Sequence, residues 1–144
     1  MKPWQNVVVG VDGSEGSRRA LAWAAEEARE HHARLTVLTA WTPPPAPVGA
    51  GYASFRGYAE VDFGELAERE LTAAVAEVLG EGTDLAVERV LVEGHPAPRL
   101  IDASAGADLL VVGCRGHGGF AGMVLGSVSQ HVAAHAHCPV AVVR

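Results

Sequence analysis

The chain has 144 residues, of which about half are apolar, and a formal net charge of −6, which fits one globular domain. The acidic balance argues against a nucleic-acid or anionic-membrane partner, because both need a basic face. Apolar runs are shorter than the ~18 residues of a membrane span, "MKPWQN" is not typical of a signal peptide, and two cysteines are too few for a disulfide framework. We therefore expect a single cytoplasmic domain over residues 1–144.

Five apolar runs alternate with segments of helical periodicity. The run "NVVVGVD" is typical of a strand buried on both faces of a parallel sheet, and Ser14 after it is the predicted N-cap of a helix. A second run, "RLTVLTAW", stops at three prolines, and the Pro-, Gly- and Ala-rich residues 43–58 predict a loop. Gly106 is the predicted C-cap of a later helix. The predicted strands are 6–12, 34–41, 84–94, 108–113 and 138–144, and the predicted helices are 13–33, 60–79, 97–106 and 127–136.

This alternation predicts an α/β fold with βαβ units and right-handed crossovers. We expect a single-domain open five-stranded parallel sheet with helices on both faces. In such a sheet the ligand lies at the carboxyl ends of the strands, at the topological switch point. Asp12, the end of "LTAW" and the stretch "GCRGHGGFAGMVLGSVSQ" (113–130) all follow predicted strands. The sequence therefore predicts a binding site at this edge of the sheet.

Two common nucleotide-binding motifs do not fit the glycine-rich stretch 113–130. A P-loop needs a lysine for the β and γ phosphates, and Lys2 is the one lysine in the chain. A dinucleotide fingerprint is nearly present as Gly116-x-Gly118-x-x-Ala121, but it should open a helix directly and be followed about 20 residues later by an acidic residue. Neither Asp nor Glu follows Ala121. A different pattern must explain these glycines.

That pattern is Gly113, two residues, Gly116, nine residues, and then Gly126-Ser127. Together with "VVVGVDGSEGSRRAL", "GHPAPRLIDASAGADLLVVGCRGHGG" and "GSVSQHVAAHAHCPVAVVR", it makes the whole chain resemble the universal stress protein family, specifically the ATP-binding branch. The resemblance implies a Rossmann-like fold of the adenine nucleotide alpha hydrolase-like type. It also implies bound ATP, with the need for Mg²⁺ left open.

The physical chemistry of these residue types suits a triphosphate. Glycine at 113 would let a ribose approach, Gly116 allows a turn with positive φ, and the free N–H groups at a helix start bind phosphate. Arg115 would supply the positive charge that a P-loop lysine gives elsewhere. The resemblance assigns roles to the remaining positions. For the nucleoside, Asp12 would accept from ribose or adenine, with the backbone of Gly10 and Val11 beside it, and the main chain of Ala40 would meet the adenine. Gly113 and Gly116 would contact ribose and phosphate, and the phosphates would also contact Gly126, Ser127, Val128 and Ser129.

Three functions remain open on this sequence: a nucleotide sensor of the stress response, a slow ATP-hydrolysing enzyme, and a dimeric interaction module with a vestigial site. The glycine stretch holds no acidic residue for dedicated phosphoryl transfer, so we expect a regulatory ATP-binding protein rather than an enzyme. Two simpler interpretations also stand. Asp12 could be only a turn or helix-cap carboxylate, and the glycine stretch could be only a flexible connection.

The segment "HVAAHAHC" near the end suggests a metal site, because His131 and His135 are an i, i+4 pair with His137 and Cys138 nearby. Histidines near a helix C-terminus are also favoured by the helix dipole, and this structural role is our expectation.

Cys114 has neither a lysine nor a second cysteine near it in the sequence, so we expect an inert side chain rather than a redox sensor.

The last predicted strand, "PVAVVR", would be an apolar edge strand, and such an edge is usually covered. Universal stress proteins pair through this strand across a two-fold axis. The resemblance therefore implies a homodimer through Val140 to Val143.

Overall fold

A computed structural model describes residues 2–114 and 125–144 of the chain. The described elements, in chain order, are β1 (Asn6–Gly10), α1 (Glu15–His31), β2 (Arg34–Trp41), α2 (Tyr52–Ala59), α3 (Phe63–Leu79), β3 (Val87–Glu93), α4 (Pro96–Ser104), β4 (Leu109–Gly113), α5 (Ser127–His135) and β5 (Val140–Val143). The strands form one parallel sheet in the order β3-β2-β1-β4-β5.

The central strands are continuous apolar runs because helices cover both faces of the sheet. Val7 and Val9 of β1 pack on one face against an alanine-rich stripe of α1 and against Leu71 of α3. Val8, between them, packs on the other face in a cluster with α4 and with Val132 of α5. The predicted fold, an open five-stranded parallel α/β sheet with helices on both faces, is confirmed. No helix in the two described ranges is long and apolar enough to cross a membrane.

The strand order creates one point where the chain changes direction across the sheet. β1 is central, with β2 and β3 on one side and β4 and β5 on the other. The crevice between the carboxyl ends of β1 and β4 is therefore the topological switch point. Gly10 ends β1 and Gly113 ends β4, so both predicted glycines border this crevice.

The loop predicted over residues 43–58 is wrong in its second half, because α2 (Tyr52–Ala59) lies there. This helix has no buried residue, so packing against the core does not specify it. Local contacts hold it instead: the Tyr58 hydroxyl donates to the Pro44 carbonyl, and the Tyr58 ring lies 5.2 Å from that of Phe63.

Several predicted boundaries also differ from the observed ones. The helix predicted from residue 60 begins at Phe63, because the Asp62 carboxylate accepts from the Glu65 N–H at 3.0 Å and caps it. The strand predicted from residue 84 begins at Val87. Gly106 is not the helix C-cap: that position is Ala105, which keeps right-handed helical geometry at φ −62°. The predicted N-cap Ser14 is confirmed, since its Oγ accepts from the Ser17 N–H.

At the amino ends of the strands, opposite the crevice, Asp108 fixes the start of β1 against β4. Its Oδ2 accepts from the backbone N–H groups of Gln5 and Asn6 at 2.8 and 2.9 Å. These hydrogen bonds, with that of Gln5 the largest cause, hold the pKa of Asp108 below the ordinary value of an aspartate. The backbone N–H of Asp108 also donates to the Asn6 carbonyl. These hydrogen bonds between Asp108 and residues Gln5 and Asn6, which we call the Asp108 clamp, lie directly before the paired residues Val7 and Leu109 and set the register of β1 and β4.

Replacing Asp108 by Asn should lower the free energy of unfolding at neutral pH, because the ionised acceptor is lost. We expect a loss of about 1 kcal/mol, since the site is exposed and solvent screens its charge. A depressed folded-state pKa stabilises the protein above the unfolded pKa, ~3.9, and this stabilisation disappears as pH falls through the folded pKa. The wild-type and Asp108→Asn free energies of unfolding, measured in urea, should therefore converge in acid.

The matched control is Glu81→Gln, which removes the same charge from an exposed residue. It should leave the free energy of unfolding nearly unchanged. An equal effect of the two substitutions, or a difference that does not depend on pH, would contradict the clamp.

Candidate functional site

The turn that follows β1 is ordered around Asp12. Its Oδ1 accepts from the backbone N–H of Ser14 at 2.9 Å and from the Ser14 hydroxyl. Its own N–H donates to Ser17 Oγ at 3.3 Å, and Gly13 adopts a φ of +82°, which favours glycine. Asp12 itself is exposed at the sheet edge. The sequence left open whether Asp12 only orders a turn or also binds a ligand. The structure shows that it orders the turn, and ligand binding by Asp12 stays a prediction.

The two residues before Asp12 are held by neighbouring elements. The N–H of Val11 donates to the Leu38 carbonyl at 2.9 Å, and its carbonyl accepts from Thr39 Oγ1 at 3.0 Å. A Cβ at Gly10 would lie 2.9 Å from a methyl group of Leu100 in α4. Packing against β2 and α4 therefore fixes the backbone at the carboxyl end of β1.

Gly113 ends β4 beside the first turn of α1. A Cβ at this position would lie 3.0 Å from both the carbonyl carbon and the carbonyl oxygen of Gly16, and 3.3 Å from the backbone nitrogen of Ser17. The sequence interpretation explained this glycine by the approach of a ribose. The structure supplies a different reason, because the backbone of α1 already occupies the space that a side chain would need.

Three hydrogen bonds tie β5 and α5 to the same strand end. The N–H of Cys114 donates to the Val143 carbonyl at 2.7 Å, and its carbonyl accepts from the Gly126 N–H at 2.7 Å. The buried Ser129 hydroxyl donates to the Gly113 carbonyl at 2.5 Å. Ser129 was predicted as a phosphate donor, but in this structure its hydroxyl hydrogen has an acceptor within the protein. The phosphate role of Ser129 stays a prediction.

The start of α5 has the properties of an anion-binding helix terminus. Its N-cap is Gly126, at φ −70° and ψ 164°, which has no side chain to cap the helix. Ser127 is exposed and Val128 is half-buried. The first N–H groups of a helix lack intrahelical acceptors and carry the positive end of the dipole. The predicted residues Arg115 and Gly116 lie outside the described residues.

Ala40, predicted beside the adenine, lies on β2 opposite Val92 of β3 and packs with the core on the α4 and α5 side. The carboxyl edge thus brings together the Asp12 turn, the end of β4 and the start of α5, with Ala40 on the neighbouring strand.

Sequence reasoning missed Glu70 of α3, whose Oε2 would lie 3.8 Å from a Cβ at Gly13. No sequence signal marks Glu70, since only the packing of α3 on α1 brings it there.

Sequence reasoning also missed the part that Ser14 and Ser17 play in holding the Asp12 turn. Asp and Ser side chains commonly bond to backbone groups two or three residues away. The spacing Asp-Gly-Ser-x-x-Ser could therefore have indicated it.

Within residues 2–114 and 125–144, no group of three or more His, Cys, Asp or Glu side chains could hold a metal ion. Burial raises the pKa of the Cys138 thiol, with Asp108 as the second cause, so the reactive thiolate is disfavoured there.

Gly113→Ala should destabilise the protein by roughly 1–3 kcal/mol, because the new methyl group would lie 3.0 Å from helix backbone, which shifts less easily than the end of a side chain. The measurement is the free energy of unfolding in urea. The matched control is Gly106→Ala, where a Cβ would have no heavy atom within 4 Å. Equal stability of the two variants would show that the contact with Gly16 does not require glycine.

The comparisons with known proteins agree with this architecture. A universal stress protein of Mycobacterium tuberculosis strain H37Rv is 38% identical over 141 residues, which cover 96% of this chain and 44% of that protein. The chain therefore spans less than half the length of this relative. A universal stress protein of Thermus aquaticus is 36% identical over 147 residues and is covered to 99%.

Among solved structures, a universal stress protein in complex with cAMP is 35% identical, with a TM-score of 0.63 and coverage of 99% of this chain and 98% of that one. The family model described as the universal stress protein family matches residues 3–144. This chain belongs to the universal stress protein family.

Proposed function

We propose that this protein is a regulatory nucleotide sensor that binds ATP at the switch-point crevice and acts as a dimer. The observation that carries the proposal is the meeting of the Asp12 turn with the uncapped start of α5 at the ends of β1 and β4. A related solved structure, 35% identical, is a complex with cAMP, which supports an adenine nucleotide as the ligand class.

The phosphates would lie against the first turn of α5. Backbone N–H groups and the dipole of this nine-residue helix favour an anion. The exposed Ser127 hydroxyl would add a donor. Hydrogen bonds to a charged group contribute on the order of 1.5–3 kcal/mol each, and three or four of them, offset by the cost of association, support roughly micromolar affinity.

The nucleoside would lie toward the ends of β1 and β2. The exposed Asp12 carboxylate would accept from ribose or adenine donors. Ser14 orients this carboxylate, and the Asp12 backbone N–H donates to Ser17 Oγ. The main chain of Ala40, on the neighbouring strand β2, would meet the base, and its small side chain would pack loosely against it. A pre-ordered turn reduces the entropy lost on binding.

We propose binding rather than catalysis as the function of this site. Dedicated phosphoryl transfer needs a positioned base and groups that neutralise charge on the transferred phosphate. The Oδ1 atom of Asp12 already accepts hydrogen bonds from the backbone N–H and the hydroxyl of Ser14, so it orders the turn rather than being positioned as a base.

Replacing Ser127 by Glu should weaken ATP binding by about tenfold or more, because the new carboxylate repels the phosphates. A negative charge in the first turn stabilises a helix, so the variant should remain folded. Isothermal titration of the nucleotide-free protein with ATP, and separately with cAMP, measures the change. The loss should be larger for ATP, which carries more phosphate charge.

The control is Ala133→Glu, which adds the same charge to an exposed position of α5. That position is six residues further along, about 9 Å, where salt screens the interaction. ATP affinity of this variant should be close to wild type. Equal weakening by both substitutions would place the phosphates elsewhere, and absence of binding by the wild type up to millimolar ATP would refute the proposed function.

The dimer is proposed through β5 because the two sheet edges differ. β3, at one edge, carries the exposed charges Glu88, Arg89 and Glu93, which discourage pairing. β5, at the other edge, is "VAVV" throughout and only half-buried. A two-fold axis beside β5 would pair it with its own copy and cover this apolar edge.

The direction of the β5 backbone identifies the residues that would form this pairing. The Pro139 carbonyl accepts from Leu110 of β4 at 3.0 Å, and the Val143 carbonyl accepts from Cys114, directly after β4, at 2.7 Å. Because backbone groups alternate in direction along a strand, those of Val140 and Val142 face the outer edge. These two residues would donate and accept across the two-fold axis.

Val142→Pro should convert the dimer to monomer, because proline removes an outward N–H while the bonds of Val143 to β4 remain. Val142→Thr keeps the N–H and the branched shape and should remain a dimer. Sedimentation equilibrium measures both. An intact Val142→Pro dimer would place the interface elsewhere.

A further inference from the structure

We propose that His131 and His135 form an open two-imidazole site for a divalent late first-row transition metal ion of the Ni²⁺ or Cu²⁺ type. Both residues lie on α5, one turn apart, and both side chains are exposed. The site lies in the second half of the helix, away from the proposed phosphate terminus, and does not depend on nucleotide binding.

The ring separation is compatible with two ligands on one ion. The imidazole centroids lie 4.8 Å apart, with the ring planes inclined by 53°. With metal–nitrogen distances of about 2.0–2.1 Å, each ring centroid would lie about 3.2 Å from the ion. Two such rings at an angle of 90–110° on the ion are then about 4.5–5.2 Å apart. The observed separation falls inside this interval.

The surroundings leave both imidazoles available to an ion. Within the described part of the chain, neither ring takes part in a hydrogen bond or an ion pair, and their contact is with each other. The helix sequence "SVSQHVAAH" contains no Lys or Arg that would repel a cation. His135 is the last residue of α5, where the negative end of the helix dipole favours positive charge.

The number of ligands indicates the class of metal. A structural zinc site uses four protein ligands, and the described residues contain no group of three. Two neighbouring imidazoles with water in the remaining positions suit the tetragonal or octahedral geometry of Cu²⁺ and Ni²⁺. Exposure of the pair allows those waters to bind. An ion bound to both rings would join consecutive turns of α5 and stabilise the folded state.

The test is isothermal titration of the untagged full chain with NiCl₂, without nucleotide, because a polyhistidine tag would mask the site. We expect one saturable site in the wild type and a melting temperature that rises with Ni²⁺ concentration. His135→Gln should weaken the affinity by ~10-fold or more, which is about 1.4 kcal/mol. His95→Gln, which removes an exposed histidine outside α5, should bind as the wild type does.

A matched variant tests the pairing itself. Gln130→His combined with His135→Gln keeps seven histidines but places the second imidazole directly beside His131 in sequence, on a different face of the helix. It should bind Ni²⁺ as weakly as His135→Gln. Wild-type affinity in this double variant, equal loss in His95→Gln, or no saturable binding by the wild type would each overturn the proposal. Circular dichroism verifies that the variants are folded.

Discussion

At Gly113 the backbone of β4 passes so close to α1 that a side chain would have to overlap the carbonyl group of Gly16. On the other side of this strand end, the backbone of Cys114 forms hydrogen bonds with β5 and with the start of α5, and the Ser129 hydroxyl donates to the carbonyl of Gly113. One strand end thus anchors a helix on each face of the sheet and an edge strand. The relative positions of the Asp12 turn and the α5 terminus follow from this contact.

The same constraint affects how the family's glycine pattern should be interpreted. A Cβ at Gly113 would lie against the backbone of α1, and one at Gly10 would lie against the Leu100 side chain of α4. Loss of ligand binding after a substitution at either position would therefore not by itself show a ligand contact. Substitutions at the exposed Ser127 are more informative, because they alter the charge near the proposed phosphates without altering the packing. The proposed site would consist mainly of backbone groups, whose positions depend on the fold more than on side-chain identity.

Much of the fold could be predicted because the strands are continuous β-branched runs, such as "NVVVG" and "LLVVG", which only a sheet covered on both faces can bury. The helix α2 could not be predicted in this way, since none of its residues is buried and it is held by the hydrogen bond from Tyr58 to Pro44. In the site, the position of Asp12 after β1 was readable from sequence order. The contact of Gly113 with α1 and the approach of Glu70 to Gly13 were not, because each depends on how a helix packs.

An amide-resolved NMR titration of the isotope-labelled full chain with ATP would test the central claim most directly. A nucleotide at the switch-point crevice should shift the amide signals of Gly126, Ser127 and Val128, together with those around Asp12, in one saturable process. Saturable shifts confined to another surface, such as the β3 edge, would contradict this location. No shift up to millimolar ATP would contradict nucleotide binding itself.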